Sequence, residues 1–235
     1  MNETHSNTNE IHTGTIGNIA SGNDGQTQVI VDAGIVEMTG NLLNNPKRSI
    51  RKEACWLLSN VAAGNATQIK ALMSKDAVLR QVIEAAKQDE WDVRKEAAWV
   101  IANVCTGGDS SAVAKLVNLG ALEALVSLME VNDTNVVCTV LDATHAILNK
   151  AEAGSQYDVL LDSFDGVEKI ENLQNHRSND VYNKAVKIIE DFFSGDEEDE
   201  CENIAPKMND KTFSFGTTFG NNAAFGDISN AQFSF

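Results

Sequence analysis

Two tryptophans and two asparagines recur in one pattern. RKEACWLLSNVAAGN at 51–65 returns as RKEAAWVIANVCTGG at 94–108. The offset is 99 − 56 = 43 for the Trp pair and 103 − 60 = 43 for the Asn pair. At about 100° per residue on a helix, Glu53, Trp56 and Asn60 fall within one narrow arc, as do Glu96, Trp99 and Asn103. Ala54, Leu58, Val61 and Ala62 fall on a second arc, matched by Ala97, Ile101 and Val104, and that arc reads as core. A purely structural Trp belongs on the apolar arc, yet both stand on the polar one. Two indoles one repeat apart make walls with a slot between them. A Lys or Arg can lie there with its methylenes on the ring faces and its cation near the ring quadrupole, worth roughly 0.5–2 kcal/mol. The Asn amides can donate to and accept from an extended peptide backbone, which holds register without reading sequence. The Glu carboxylates select cations. The stripe is therefore predicted to form a groove for an extended basic peptide. The competing reading is a packing motif, with Asn capping or bridging neighbouring helices. Trp91 lies off the repeat spacing and is expected to pack.

Repeated elements must carry this stripe. DAG at 32–34, KDA at 75–77, NLG at 118–120 and FDG at 164–166 each separate a short apolar helix from the next. Each unit then reads as short, medium and long helix, and a period of roughly 43 residues built from three helices is the armadillo length class. Such a unit cannot close its own core, so the predicted fold is all-α, a right-handed superhelix held by nearest-neighbour packing. Four units span 25–64, 65–107, 108–150 and 151–193, and 14–24 reads as the end of a fifth. Residues 1–13 are polar and predicted to be disordered, 14–193 form the repeats, and 194–235 form an acidic tail, also predicted to be disordered.

Composition excludes several classes. Among 235 residues, 34 are Asp or Glu and 18 are Lys or Arg, a net charge of −16. That field repels phosphate, so no nucleic-acid partner is expected, and it suits basic ligands. With 6% aromatic residues and two prolines, a β-sandwich is a poor fit. Cys55, Cys105, Cys138 and Cys201 form no CxxC pair, which speaks against a disulfide framework or zinc site and suits a reducing compartment. His5, His12, His145 and His176 show no ligand spacing, so no metal and no cofactor are expected. No apolar run reaches spanning length and the first 30 residues are not signal-like, so no membrane is expected. No nucleophile elbow, phosphate loop or paired-carboxylate pocket supports an enzyme. Asp142 and His145 stand at or near the Trp position of the third long helix, where Ala146 replaces the Asn, and read as surface variation.

KEACWLLSN and KEAAWVIAN resemble the late armadillo repeats of importin-α, the adaptor family for nuclear localisation signals. The W-x-x-x-N pair preceded by KEA is specific to that family. GNIASGNDGQTQVIVDAG, GVEKIENLQNHRSNDVYNKAVKIIEDFF and EEDECENIAP are similar as well, so the resemblance covers 14–206. It implies repeats six through ten, the first as a fragment, carrying the minor signal-binding site. By motif, Trp56, Asn60, Trp99 and Asn103 would form its array. Glu96 would pair with a ligand cation, with Glu53 behind it, and Asn18, Gly22, Asp24 and Thr27 match the preceding repeat's end of the site. The resemblance implies a place in both nucleus and cytoplasm, and contact of 151–206 with the recycling exportin.

Departures qualify this. The family's basic importin-β-binding domain and major-site repeats have no counterpart here, with no Lys or Arg before Lys47, so importin-β is not an expected partner. Gly14, four residues before Asn18, stands where the family has a large side chain; it weakens the helix and removes a groove wall. The apolar face of 26–43 is expected to lack a cap, unless 1–13 covers it, the chain is part of a longer product, or it self-associates. In the tail, FSFG at 213–216, FG at 219–220 and 225–226, and FSF at 233–235 resemble nucleoporin FG repeats, which exchange rapidly in shallow pockets of transport receptors. Two functions follow as expectations. One is an adaptor module holding basic signals in the Trp/Asn groove. The other is a regulator or scaffold that binds the exportin or transport receptors through the last repeat and FG tail without carrying cargo.

Overall fold

The computed structural model describes residues 15–194 and the backbone of 207–209 and 212–214. A helical stretch at 15–20, α1, precedes four triplets of helices. The first is α2 (Asp24–Asp32), α3 (Ile35–Leu43) and α4 (Arg48–Ala62). The second is α5 (Ala66–Met73), α6 (Asp76–Gln88) and α7 (Trp91–Gly107). The third is α8 (Ser110–Asn118), α9 (Ala121–Val126) and α10 (Thr134–Asn149). The fourth is α11 (Tyr157–Asp162), α12 (Gly166–Leu173) and α13 (Asn179–Phe192). This is the expected all-α armadillo array of four units and a fragment.

Local chemistry sets the punctuation. Asn23 opens α2 by accepting from the Gln26 N–H at 3.0 Å while the Gln26 carboxamide accepts from the Asn23 N–H, also at 3.0 Å. Asn65 and Gln68 repeat this reciprocal cap at α5, and Asp109 caps α8. Between first and second helices, Gly34 and Gly120 take φ of 85° and 95°. Only glycine adopts that left-handed turn without strain, which is why DAG and NLG break the helical runs.

Third helices pack on one another in sequence, α4 on α7, α7 on α10 and α10 on α13, and second helices α3, α6 and α9 do likewise. One continuous apolar cluster results, running from Ala20 to Ile188 and including fully buried Leu57, Leu58, Ile101 and Leu141. Burying such a side chain contributes roughly 1.5–3 kcal/mol. Polar contacts repeat the same one-unit step. Gln68 donates from Nε2 to the Asp24 carbonyl at 2.8 Å, and Lys115 donates to the Met73 carbonyl at 2.6 Å. Lys150 donates to the carbonyls of Cys105, Thr106 and Gly108 at the end of α7. No helix among the described residues is long and apolar enough to cross a membrane.

In the separate unit from Ser194 onward, β1 (Lys207–Asn209) and β2 (Thr212–Ser214) pair antiparallel, with Met208 opposite Phe213. The expectations for 1–13, for Gly14 and for the rest of the tail lie outside the described residues.

Candidate peptide-binding site

The third helix of each unit is the platform. On α4, Ala54, Cys55, Leu57, Leu58, Val61 and Ala62 are fully buried, while Glu53, Trp56 and Asn60 are half-buried. On α7, Ala97, Ala98, Val100, Ile101, Val104 and Cys105 are buried, while Glu96, Trp99 and Asn103 are half-buried. Because α4 packs on α7, the two stripes lie on neighbouring helices. Burial pushes the Cys55 and Cys105 thiols up, Cys105 to about 12, so both stay protonated and act as small apolar groups.

Each Asn is half committed. Asn60 donates from Nδ2 to the Gly17 carbonyl at 3.3 Å, and Asn103 donates to the Ser59 carbonyl at 3.0 Å. Each carboxamide thus ties its helix to the preceding unit. One N–H and the Oδ1 of each have no partner among the described residues. Bridging and peptide binding are therefore compatible: the first bond orients the amide and the second donor remains for a ligand.

Trp56 lies against the backbone of α1. A Cβ added at Gly17 would stand 2.2 Å from Trp56 Cζ3. Gly17 is thus the seat of the indole, and any larger residue would push the ring away. Sequence reasoning missed this role. The signal was present, since Gly17 falls where Ser59 stands in the next unit when Asn18 is matched to Asn60.

Charge at the site is mixed. Glu96 has its pKa raised by burial first, opposed by Lys52 and Lys95, with Glu53 and Asp92 adding to the rise. Lys52 lies 3.7 Å from Glu53, and Lys95 pairs with Asp133 at 2.9 Å. Among the described residues Glu96 has no ion-pair partner. It is a carboxylate held at a cost, and a cationic side chain arriving beside it would relieve that cost.

The remaining predicted residues divide. Asn18 and Asp24 are exposed, and the Asp24 carbonyl is taken by Gln68. Gly22 is exposed, and a Cβ there would meet the Gln26 carboxamide at 2.1 Å, so it makes room for the α2 cap. Thr27 is 4% exposed; its hydroxyl donates to the Ala20 carbonyl at 3.0 Å, fastening α1 to α2, and to the carbonyl of the α2 cap residue Asn23 at 3.3 Å. Trp91 is a correction. It is 41% exposed as the first residue of α7 and does not pack in the core. Asp142 and His145 carry more than surface variation. Asp142 is ion-paired with Lys184, and His145 Nε2 lies 2.8 Å from Asp191 Oδ2 with its ring edge-on to Phe192 at 5.2 Å.

Residues 23–63 match the armadillo/beta-catenin-like repeat, and 155–207 match an atypical Arm repeat. Importin subunit alpha-3 of Arabidopsis thaliana is 41% identical over 216 residues, which is 87% of this chain and 40% of that protein. Importin subunit alpha-4 of the same plant is 38% identical over 192 residues, 78% of this chain and 35% of that protein. The chain thus spans well under half the length of these relatives. Among solved structures, a designed armadillo repeat protein in complex with the peptide (KR)4 is 31% identical, with a TM-score of 0.67 over 75% of this chain and 72% of that one. Computationally designed armadillo repeat proteins for modular peptide recognition are similar at 26% identity and a TM-score of 0.68, again over 75% and 72%.

Proposed function

We propose that this chain, which belongs to the armadillo-repeat family and is homologous to the importin alpha subunits, binds extended Lys/Arg-rich peptides along the Trp/Asn stripe of α4 and α7. The observation that carries the reading is the pair of half-buried Glu–Trp–Asn stripes, one unit apart on packed helices, each with an uncommitted amide donor. The indoles would flank the aliphatic part of a basic side chain. The spare Asn groups would satisfy the peptide backbone, and Glu96 would receive the cation. That a designed relative was solved with an alternating Lys/Arg peptide supports the ligand class. Kinship with importin alpha subunits supports nuclear localisation signals as the natural ligands, in an adaptor role between nucleus and cytoplasm.

The test is a titration with a Lys/Arg-rich signal peptide followed by tryptophan fluorescence. Binding should be saturable and perturb the indoles. Trp99→Ala should lose more than about 1 kcal/mol, roughly fivefold in Kd. Unchanged affinity in a folded Trp99→Ala variant would remove the groove from consideration.

A further inference from the structure

Beyond Trp99 the stripe changes character, and the change is chemical. The helix register is maintained, since α10 (Thr134–Asn149) begins 43 residues after α7 (Trp91–Gly107). Position 142, where the repeat would place a third Trp, is Asp, and position 146, where it would place a third Asn, is Ala. Ala146 offers no amide to a peptide backbone. Asp142 is exposed, but its carboxylate is already paired with the Lys184 ammonium reaching across from α13. On the next turn the His145–Asp191 pair, backed by Phe192, bridges the same two helices. Lys184 therefore brings an ammonium to the third unit's Trp position, held there by the carboxylate that would otherwise attract a ligand cation.

Resting on the groove reading above, we propose that Lys184 is a specificity-determining residue. It ends the basic-peptide site at the third unit and restricts that end of the ligand to neutral or acidic side chains. A ligand Lys at that step would meet a like charge and would have to displace an intramolecular partner to reach Asp142. Lys184 is about one-third exposed and Asp142 about half, so both are open to solvent and exchange is not blocked by burial.

A scan with end-capped peptides tests this. Each contains one Lys-Arg pair in a Gly/Ser background, with a third Lys moved through successive positions on either side of the pair. For the unmodified chain, positions on the side facing the third unit should add no affinity. In Lys184→Ala, at least one of those positions should gain on the order of fivefold, while the peptide carrying only the pair binds as before. The gain should vanish in Lys184→Ala/Asp142→Asn, because the freed carboxylate supplies it. Identical scan profiles for the unmodified chain and Lys184→Ala, or a gain at every position in the unmodified chain, would overturn the role of Lys184. If the pair-only peptide fails to bind or ignores Trp99→Ala, the groove itself falls, and this inference with it. Thermal melts of both variants check folding, and the pair-only peptide serves as the internal control for an intact site.

Discussion

Glu96 is held on α7 with its carboxyl half-buried and its pKa raised, chiefly by burial. With the folded-state pKa above the ordinary 4.5, the ionised group destabilises the fold at neutral pH, and the penalty disappears as pH falls through the raised value. On the proposed reading a bound cation would pull the pKa back down, so protons and peptide would compete for the same carboxylate. Peptide affinity should begin to fall at a pH above that expected for an ordinary Glu. Glu96→Gln should bind roughly fivefold more weakly at pH 7, lose that early pH dependence, and melt no lower than the parent. Titrations at pH 7, 6 and 5 on both proteins check this, and equal pH profiles would detach Glu96 from the ligand. Residue roles of this kind were only partly legible in the sequence. The Glu, Trp and Asn stripe announced itself through identical spacing. The burial of Thr27 did not, because its hydroxyl reaches the Ala20 carbonyl of α1 through a helix-to-helix contact that periodicity does not encode.

At the scale of elements, helix order and unit length were legible because glycine turns and Asn/Asp caps are written locally. The unit expected at 65–107 is realised as helices from Ala66 to Gly107. What fastens one unit to the next was not legible, since it depends on which side chains meet across separations near one repeat. Arg51 illustrates this. Its guanidinium forks onto Asp89 at 2.8 and 2.7 Å, contacts Glu90, and donates to the carbonyls of Asn45 and Pro46. Arg94, its repeat counterpart, donates instead to the Ala86 carbonyl of its own unit at 3.0 Å and to the Ser127 carbonyl of the next at 3.4 Å. The same RKEA motif thus serves two different joints. Burial raises the Asp89 pKa, but the bonds from Arg51 and from the Glu90 N–H outweigh it and bring it to about 2. A carboxyl depressed in the fold stabilises above its unfolded value and loses that contribution as pH falls through the folded one. This joint should therefore weaken between about pH 4 and pH 2. Arg51→Ala should cost about 1–3 kcal/mol at neutral pH, by urea denaturation. The difference from the parent should shrink towards pH 2. A constant difference across that range would mean that the Asp89 pairing contributes nothing to it.

At the scale of the molecule, the proposed basic ligand would feel two forces that differ in range. The net charge of −16 creates a long-range field that gathers cations and also repels itself. The Trp/Asn rungs would act only at contact. Salt separates the two, because the Debye length shrinks from about 10 Å at 0.1 M to about 3 Å at 1 M. Raising salt from 0.05 to 0.5 M should slow association of a Lys/Arg-rich peptide on the order of tenfold and leave dissociation much less affected. Trp99→Ala should do the reverse, speeding dissociation by roughly fivefold or more at both salt concentrations with little change in association. The same screening relieves self-repulsion, so the array should melt at a higher temperature in 0.5 M salt than in 0.05 M, even as its ligand binds less well. Stopped-flow kinetics and thermal melts on one sample check both signs. If salt acted mainly on dissociation and Trp99→Ala left both rates unchanged, the division of labour between global field and local groove would be wrong. The ligand would then be held by surface charge alone, and the repeated indoles would be packing.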